Sequence, residues 1–170
     1  MAKMLNPNET IWWVPLDTPG FDADAPSAAA LTEARNISCA IVTGYTLNPT
    51  DSDTDDSTTI CDSANVDTPT SYNYEANITF EREALGAGYD ATSPRARAFE
   101  FFKQPDADGY LVRRLGMRNT VAPAAGQEVS VFKVSSDFPQ DVVPEDNGAI
   151  QMTVPFLPQG KLALDVALVA

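Results

Sequence analysis

The stretch YNYEANITFE, residues 72 to 81, sets Tyr72, Tyr74, Ala76, Ile78 and Phe80 on one side and Asn73, Glu75, Asn77, Thr79 and Glu81 on the other. Strict alternation over ten residues fits an extended strand, whose successive side chains point to opposite faces, and not a helix, whose apolar positions recur every three or four residues. A chain carrying such a segment must build a sheet with one buried and one wet face. NGAIQMTVPF, residues 147 to 156, repeats the pattern with Ile150, Met152, Val154 and Phe156 against Gln151 and Thr153. Pro155 lacks an N–H, which predicts an edge or a strand end there. ETIWWV near the start, ISCAIVTGYTL (37 to 47), GYLVRRL (109 to 115), EVSVFKV (128 to 134) and LALDVALV (162 to 169) are rich in β-branched and aromatic residues between Gly, Pro, Asn and Asp, and predict five more strands.

Helical signals are few. In SPRARAFEFFKQ, Ser93 suits an N-cap and Pro94 the first helical position, where its missing N–H costs nothing, and Phe99 and Phe102 then share a face. PSAAALTEA predicts a shorter second helix. The balance predicts a mainly β protein, a β-sandwich or barrel with one flanking α-helix and long loops. At 170 residues the chain is expected to form one domain, residues 1–170. Residues 1–8, the loop from Asp17 to Ala25, residues 48–71 and DFPQDVVPEDNG (137 to 148) are expected to be irregular, a large share for a compact domain.

Composition removes several function classes. The chain has no histidine, which excludes Ser/His/Asp and Cys/His triads, an imidazole general base and most zinc sites. No Gly-rich phosphate loop is present, and carboxylate pairs such as Glu81 and Glu83 are unspecific among 24 acids. An enzyme is therefore not expected, nor a cofactor or metal. The formal charge is -13, and residues 1 to 80 hold twelve acids against only Lys3 and Arg35. Such a chain has no basic footprint for gripping phosphates. Two cysteines, Cys39 and Cys61, are too few for a disulfide scaffold, and MAKMLNPNET has no apolar stretch of the signal-peptide type, so folding with reduced thiols in a cytoplasm is expected.

The most unusual segment is NPTDSDTDDSTTICDSANVDTPT, residues 48 to 70, with six aspartates and no base. Asp51, Asp53, Asp55 and Asp62 match the first, third, fifth and twelfth positions of an EF-hand loop, yet Asp56 stands where the turn needs glycine and no helix flanks the segment. A solvated loop fits better. The arginines cluster elsewhere: Arg95 and Arg97 on the expected helix, and Arg113, Arg114 and Arg118 around the 109 to 115 strand. One copy's acidic segment (Asp51, Asp53, Asp55, Asp56, Asp62) meeting another copy's arginines would give self-association. Trp12 and Trp13 raise a carbohydrate-binding alternative, in which alternation leaves at most one indole free for a sugar.

Read in order, MAKMLNPNETIWWVP, NISCAIVTGYTLNPT, TTICDSANVDTPTSYNYEANITFERE, DADGYLVRRLG, AAGQEVSVFKV and GAIQMTVPFLPQGKLALDVALVA resemble the major tail tube proteins of long-tailed, siphovirus-type bacteriophages, in the compact form found in phages of actinobacteria. The resemblance implies the phage tail tube fold and a virion tail protein assembled in the bacterial cytoplasm. It also implies hexameric rings whose sheets join around a lumen, rings stacked through the N-terminal arm, a long loop and the C-terminal region, and no enzymatic activity. Partners would be further copies of the chain, a tape-measure protein, and tail terminator and tip proteins; DNA would cross the lumen without specific binding. Its lumen wall would fall on the polar faces of the strands at 72 to 81 and 149 to 157: Glu75, Asn77, Thr79, Glu81, Gln151 and Thr153. A tail terminator, which makes one ring and stops, is the nearest alternative.

Overall fold

The computed structural model describes residues 8–61, 63–83, 88–143 and 148–170. Of the expected N-terminal arm, only Asn8 lies within them. In chain order the elements are strand β1 (Glu9–Pro15), helix α1 (Ala28–Glu33), β2 (Arg35–Asn36), a 3-10 turn (Ser38–Ala40), β3 (Thr46–Pro49), β4 (Asp53–Asp56), β5 (Asp67–Ser71), β6 (Tyr74–Glu81), helix α2 (Pro94–Phe102), β7 (Asp108–Leu115), β8 (Glu128–Ser136), β9 (Gln140–Val142) and β10 (Gln151–Ala167). Among the described residues, eight strands form one antiparallel sheet in the order β2, β1, β7, β8, β10, β6, β3, with β9 pairing the start of β10; β4 and β5 pair only with each other. The fold is mainly β and sandwich-like, with α2 covering one open side.

Strand β10 joins the two halves of the sheet. Its first six residues pair with β6, while Phe156 to Ala167 pair with β8. The register slips between Pro158 and Leu162 and again between Ala163 and Val166. Gly160 (φ 74°) and Asp165 (φ 50°) supply the left-handed backbone in these two bulges. Asp165 is held there by Ser130, whose hydroxyl donates to Oδ1 at 3.2 Å and accepts the Asp165 N–H at 3.3 Å. Bulges bend and twist a strand. The two strands expected at 147 to 156 and 162 to 169 are therefore one, because the chain bends between them without leaving the sheet.

Pro155 is neither at an edge nor at an end. It pairs with Asn77 of β6, and its carbonyl points the other way, accepting the Asp137 N–H at 2.9 Å. In a strand a residue's N–H and C=O point to the same side, so the missing donor falls in the gap where β10 changes partner from β9 to β8. No ladder bond is lost.

The strand expected over 37 to 47 is also corrected. Residues 36 to 42 form a strap: the Ile37 N–H donates to Ile11 O at 3.0 Å, the 3-10 turn follows, Ile41 bridges to Phe80, and the Val42 N–H donates to Thr79 O at 2.8 Å. Only Thr46–Pro49 pairs as a strand, with β6. The strap carries the chain from β1 across to β6 and closes the curved sheet.

The inner core gathers Trp13, Ile37, Leu47, Ile78, Phe80, Leu111, Phe132, Val154 and Phe156 from both halves. Helix α2 enters it as the sequence predicts, with Ser93 Oγ accepting the Ala96 N–H at 3.1 Å and Pro94 in the first turn. Phe102 is fully buried, 4.9 Å from Trp13, 5.4 Å from Phe80 and 5.1 Å from Phe156 between ring centres. Gly109 leaves room for the Trp13 indole, since a Cβ there would lie 2.8 Å from the ring and 2.5 Å from Val14 O.

A second cluster lies on the opposite face of β1, β7, β8 and the end of β10. There Trp12, Val14, Val112, Val131 and Leu168 pack against Leu31 of α1, Ala23 and Phe21. Both tryptophans are thus buried, on opposite faces of one strand, and neither is available to stack a sugar. Tyr72 and Ile150, expected inside, are exposed because β6 and β10 begin only after them.

Phe102→Ala should cost about 3–5 kcal/mol of stability, the usual loss for a fully buried aromatic truncated to alanine, measured as a lowered urea midpoint at unchanged slope.

Candidate functional site

One sheet face has no covering. Along β6 the side chains alternate strictly: Tyr74, Ala76, Ile78 and Phe80 are buried while Glu75, Asn77, Thr79 and Glu81 face out. On β10, Gln151 stands opposite Glu81 and Thr153 opposite Thr79, with the two threonine hydroxyls 2.9 Å apart. The structure therefore brings Glu75, Asn77, Thr79, Glu81, Gln151 and Thr153 onto one surface. Register adds neighbours that sequence reasoning missed: Thr46 opposite Asn77, Asn48 opposite Glu75, and Gln140 opposite Thr153. The strand β9 that carries Gln140 is three residues long and wholly exposed, so it has no periodicity to read.

This face is polar and carries no Lys or Arg among those residues. Its two carboxylates are not equivalent. Glu81 accepts from Arg95 Nε at 2.7 Å, whereas Glu75 makes no ion pair among the described residues. The outer edges of β3 and β9 have no strand partner among the described residues.

Residues 48–71 are not the irregular loop expected. Asp53, Asp55 and Asp56 lie on β4, which pairs with β5 in an exposed ribbon that shares no residue with either core. Asp53 Oδ2 accepts the Ser71 hydroxyl at 2.6 Å, and Asp56 Oδ1 accepts the Thr58 N–H at 2.9 Å. Both carboxyls are held below their ordinary 3.8, Asp53 first by Ser71 and then by Asn73, Asp56 by Thr58. The aspartates run along an extended ribbon rather than around a centre, and among the described residues no three acids or cysteines converge as cation ligands. Asp51 precedes the ribbon and is exposed; Asp62 lies outside the described residues.

The arginines expected to meet this segment divide by environment. Arg114 is a correction: it is 1% exposed and cannot form a surface contact. Its Nη2 donates to Thr10 Oγ1 (3.1 Å), Arg118 O (3.1 Å) and Val121 O (2.7 Å), and its Nη1 to Gln127 Oε1 (2.7 Å) and Ala122 O (3.4 Å), while the guanidinium carbon lies 5.0 Å from the centre of the Trp12 ring. No carboxylate is among these partners, and burial pushes the guanidinium below its ordinary value. Arg113 is likewise turned inward, donating to Leu47 O and, at 3.1 Å, to Asn48 Oδ1, which ties β7 to β3. Arg95 is taken by Glu81, and Arg97 is half-buried near Asp90. Of these five arginines only Arg118 is exposed without an ion pair among the described residues.

A third feature is a groove of about 520 Å³ between the strap and the segment after β7. Ile11, Ile41 and Val42 give it an apolar floor, and Cys39, Tyr45 and Arg118 line it. The Tyr45 hydroxyl donates to Glu9 Oε1, and burial together with that carboxylate drives the phenol well above its ordinary pKa. Cys39 and Cys61 are both free and exposed. Among the described residues no helix is long and apolar enough to cross a membrane.

A family model described as phage tail tube protein matches residues 1–170. No curated protein matches the chain.

Two outcomes test these environments. Arg114→Met leaves three carbonyls, a hydroxyl and the Gln127 amide without their donor, at about 1–3 kcal/mol for a buried group so orphaned; the urea midpoint should fall and trypsin should cut sooner after Arg118. For the ribbon, a depressed carboxyl stabilises the fold above its unfolded pKa and loses that contribution as pH falls through the folded value. Amide protection of Asp53–Asp56 and Asp67–Ser71, corrected for intrinsic exchange, should therefore be flat at neutral pH and drop only below the ordinary carboxylate range.

Proposed function

The chain belongs to the phage tail tube protein family, and from that premise we propose that its copies assemble into stacked hexameric rings whose lumen conducts the genome during ejection. A tail tube protein is a structural virion component of the tail, which points away from catalysis. The observation that carries the fuller reading is the uncovered polar face of β3, β6, β10 and β9. The sheet around β1, β7 and β8 is packed on both faces, whereas this face is bare and ends at two edges that have no strand partner among the described residues. Edge pairing of β3 from one copy with β9 from the next would continue the sheet around a ring and remove the aggregation hazard of open edges.

A wall of this kind suits a DNA conduit. Each Lys or Arg on it would exchange counterions for a phosphate contact and retard the duplex. The face offers mostly amides, hydroxyls and carboxylates instead, with Pro155 beside Asn77 and Val142 beside Gln151. Screening shortens repulsion to about 8 Å at physiological salt, so Glu75 acts on DNA only near the wall. In this reading residues 1–170 form one tail tube domain, rings stack partly through the acidic ribbon, assembly takes place in the host cytoplasm around a tape-measure protein, and terminator and tip proteins close the two ends.

Purified protein viewed by negative-stain electron microscopy across a concentration series should give tubes with a stain-filled channel; discrete rings that never stack would replace this reading with a terminator. Glu75→Lys should still polymerise but slow DNA ejection from phage carrying it. Glu75 is the more informative lumen position, because changing Glu81 also breaks its pair with Arg95.

A further inference from the structure

The ribbon and the groove sit at opposite ends of one strand. The ribbon joins β6 at its N-terminal end, where the Thr50 N–H donates to Asn73 O at 2.9 Å. The groove adjoins the C-terminal end, where Ile41 bridges to Phe80 and the Val42 N–H meets Thr79 O. Six residues of extended chain separate these points by roughly 20 Å. At the ribbon's tip Ile60 is wholly exposed, so the molecule's own groove does not hold it. The tip is well formed: the Ser57 N–H donates to Val66 O at 2.9 Å and the Val66 N–H to Thr58 Oγ1 at 2.8 Å.

Resting on the tube reading, we propose that the ribbon tip of one copy docks in the groove of the next, with Ile60 seated on Ile11, Ile41 and Val42 and Arg118 at the groove facing the incoming aspartates of β4. The occupant is a second copy of this chain. The ribbon carries Asp53, Asp55, Asp56 and Asp67 and no base, while the exposed cation at the groove is Arg118. The acid already there, Glu9, is engaged by the Tyr45 hydroxyl. A two-stranded ribbon standing alone is marginal in water and gains support from a partner surface. Because knob and groove lie at opposite ends of the same strand, the contact is head-to-tail and can be repeated from copy to copy, as a filament requires.

The docking brings Cys61, next to Ile60, against Cys39 in the groove, which makes the contact directly testable. Polymerised protein treated with a short bismaleimide should yield a ladder of cross-linked species extending past the dimer on denaturing gels. In polymerised protein, Cys39→Ser and Cys61→Ser should each abolish the ladder. Ile60→Asp should raise the concentration needed for tubes at least tenfold, with the monomer's urea midpoint unchanged. Tubes that give no cross-link, or a cross-link that survives Cys39→Ser, overturn this docking and leave the tube reading standing. Protein that forms no tubes at any concentration overturns both.

Discussion

The contact of Phe102 with Trp13, Phe80 and Phe156 holds the two halves of this molecule together. Trp13 belongs to the half of the sheet that is packed on both faces, while Phe80 comes from the half whose outer face is bare. Phe156 sits where β10 passes between them, and α2 delivers Phe102 into the gap. Edge-on and stacked ring geometries at 4.9 to 5.4 Å add specificity to the burial of large apolar surfaces. With this cluster in place, the strap from Ile37 to Val42 can close the remaining side, and β6 is fixed with its polar residues outward. The uncovered face is thus a consequence of how the core is assembled.

The asymmetry between the halves organises the rest of the molecule's surface. Around β1, β7 and β8 the chain covers both sides of the sheet, and even the cation Arg114 is folded inside among carbonyls. Around β6 it covers one side only. Along β6 apolar residues face inward and polar residues outward, so the exposure of that strand is written into its pattern. The acidic ribbon extends from this same half, at the end of β6 away from the strap. A subunit with a wet sheet face, two edges without a strand partner among the described residues and a projecting arm has the parts that the proposed rings and stacks would use.

Much of this was legible in the sequence. Alternation in YNYEANITFE placed β6 and its outward residues, and the Ser93–Pro94 pair marked the start of α2. The failures have specific causes. Segment 37 to 47 has the composition of a strand, but its hydrogen bonds go to β1 and β6 in turn, and propensity carries no information about partners. Pro155 read as a strand end because sequence does not reveal that β10 changes neighbour at that residue. Arg114 read as a surface charge because its partners are carbonyls of residues 118 to 122, and every residue contributes a carbonyl. Residues 48–71 lack apolar alternation altogether, since neither β4 nor β5 has a buried side, and so the ribbon left no periodic signal. Cys39 and Ile41 became groove residues only through the strap.

The carbonyl-lined seat of Arg114 also gives the molecule a particular response to heat. Keeping an ion dry costs less as temperature rises, because ion hydration carries an unfavourable entropy, whereas apolar burial gains little further strength per unit area. The segment from Arg118 to Gln127, tied down by a guanidinium rather than by a hydrophobic anchor, therefore keeps its attachment on warming better than the short helix α1, which depends on Ala30 and Leu31. Thermal loosening is expected to begin at α1, leaving until later the groove wall that this loop supports.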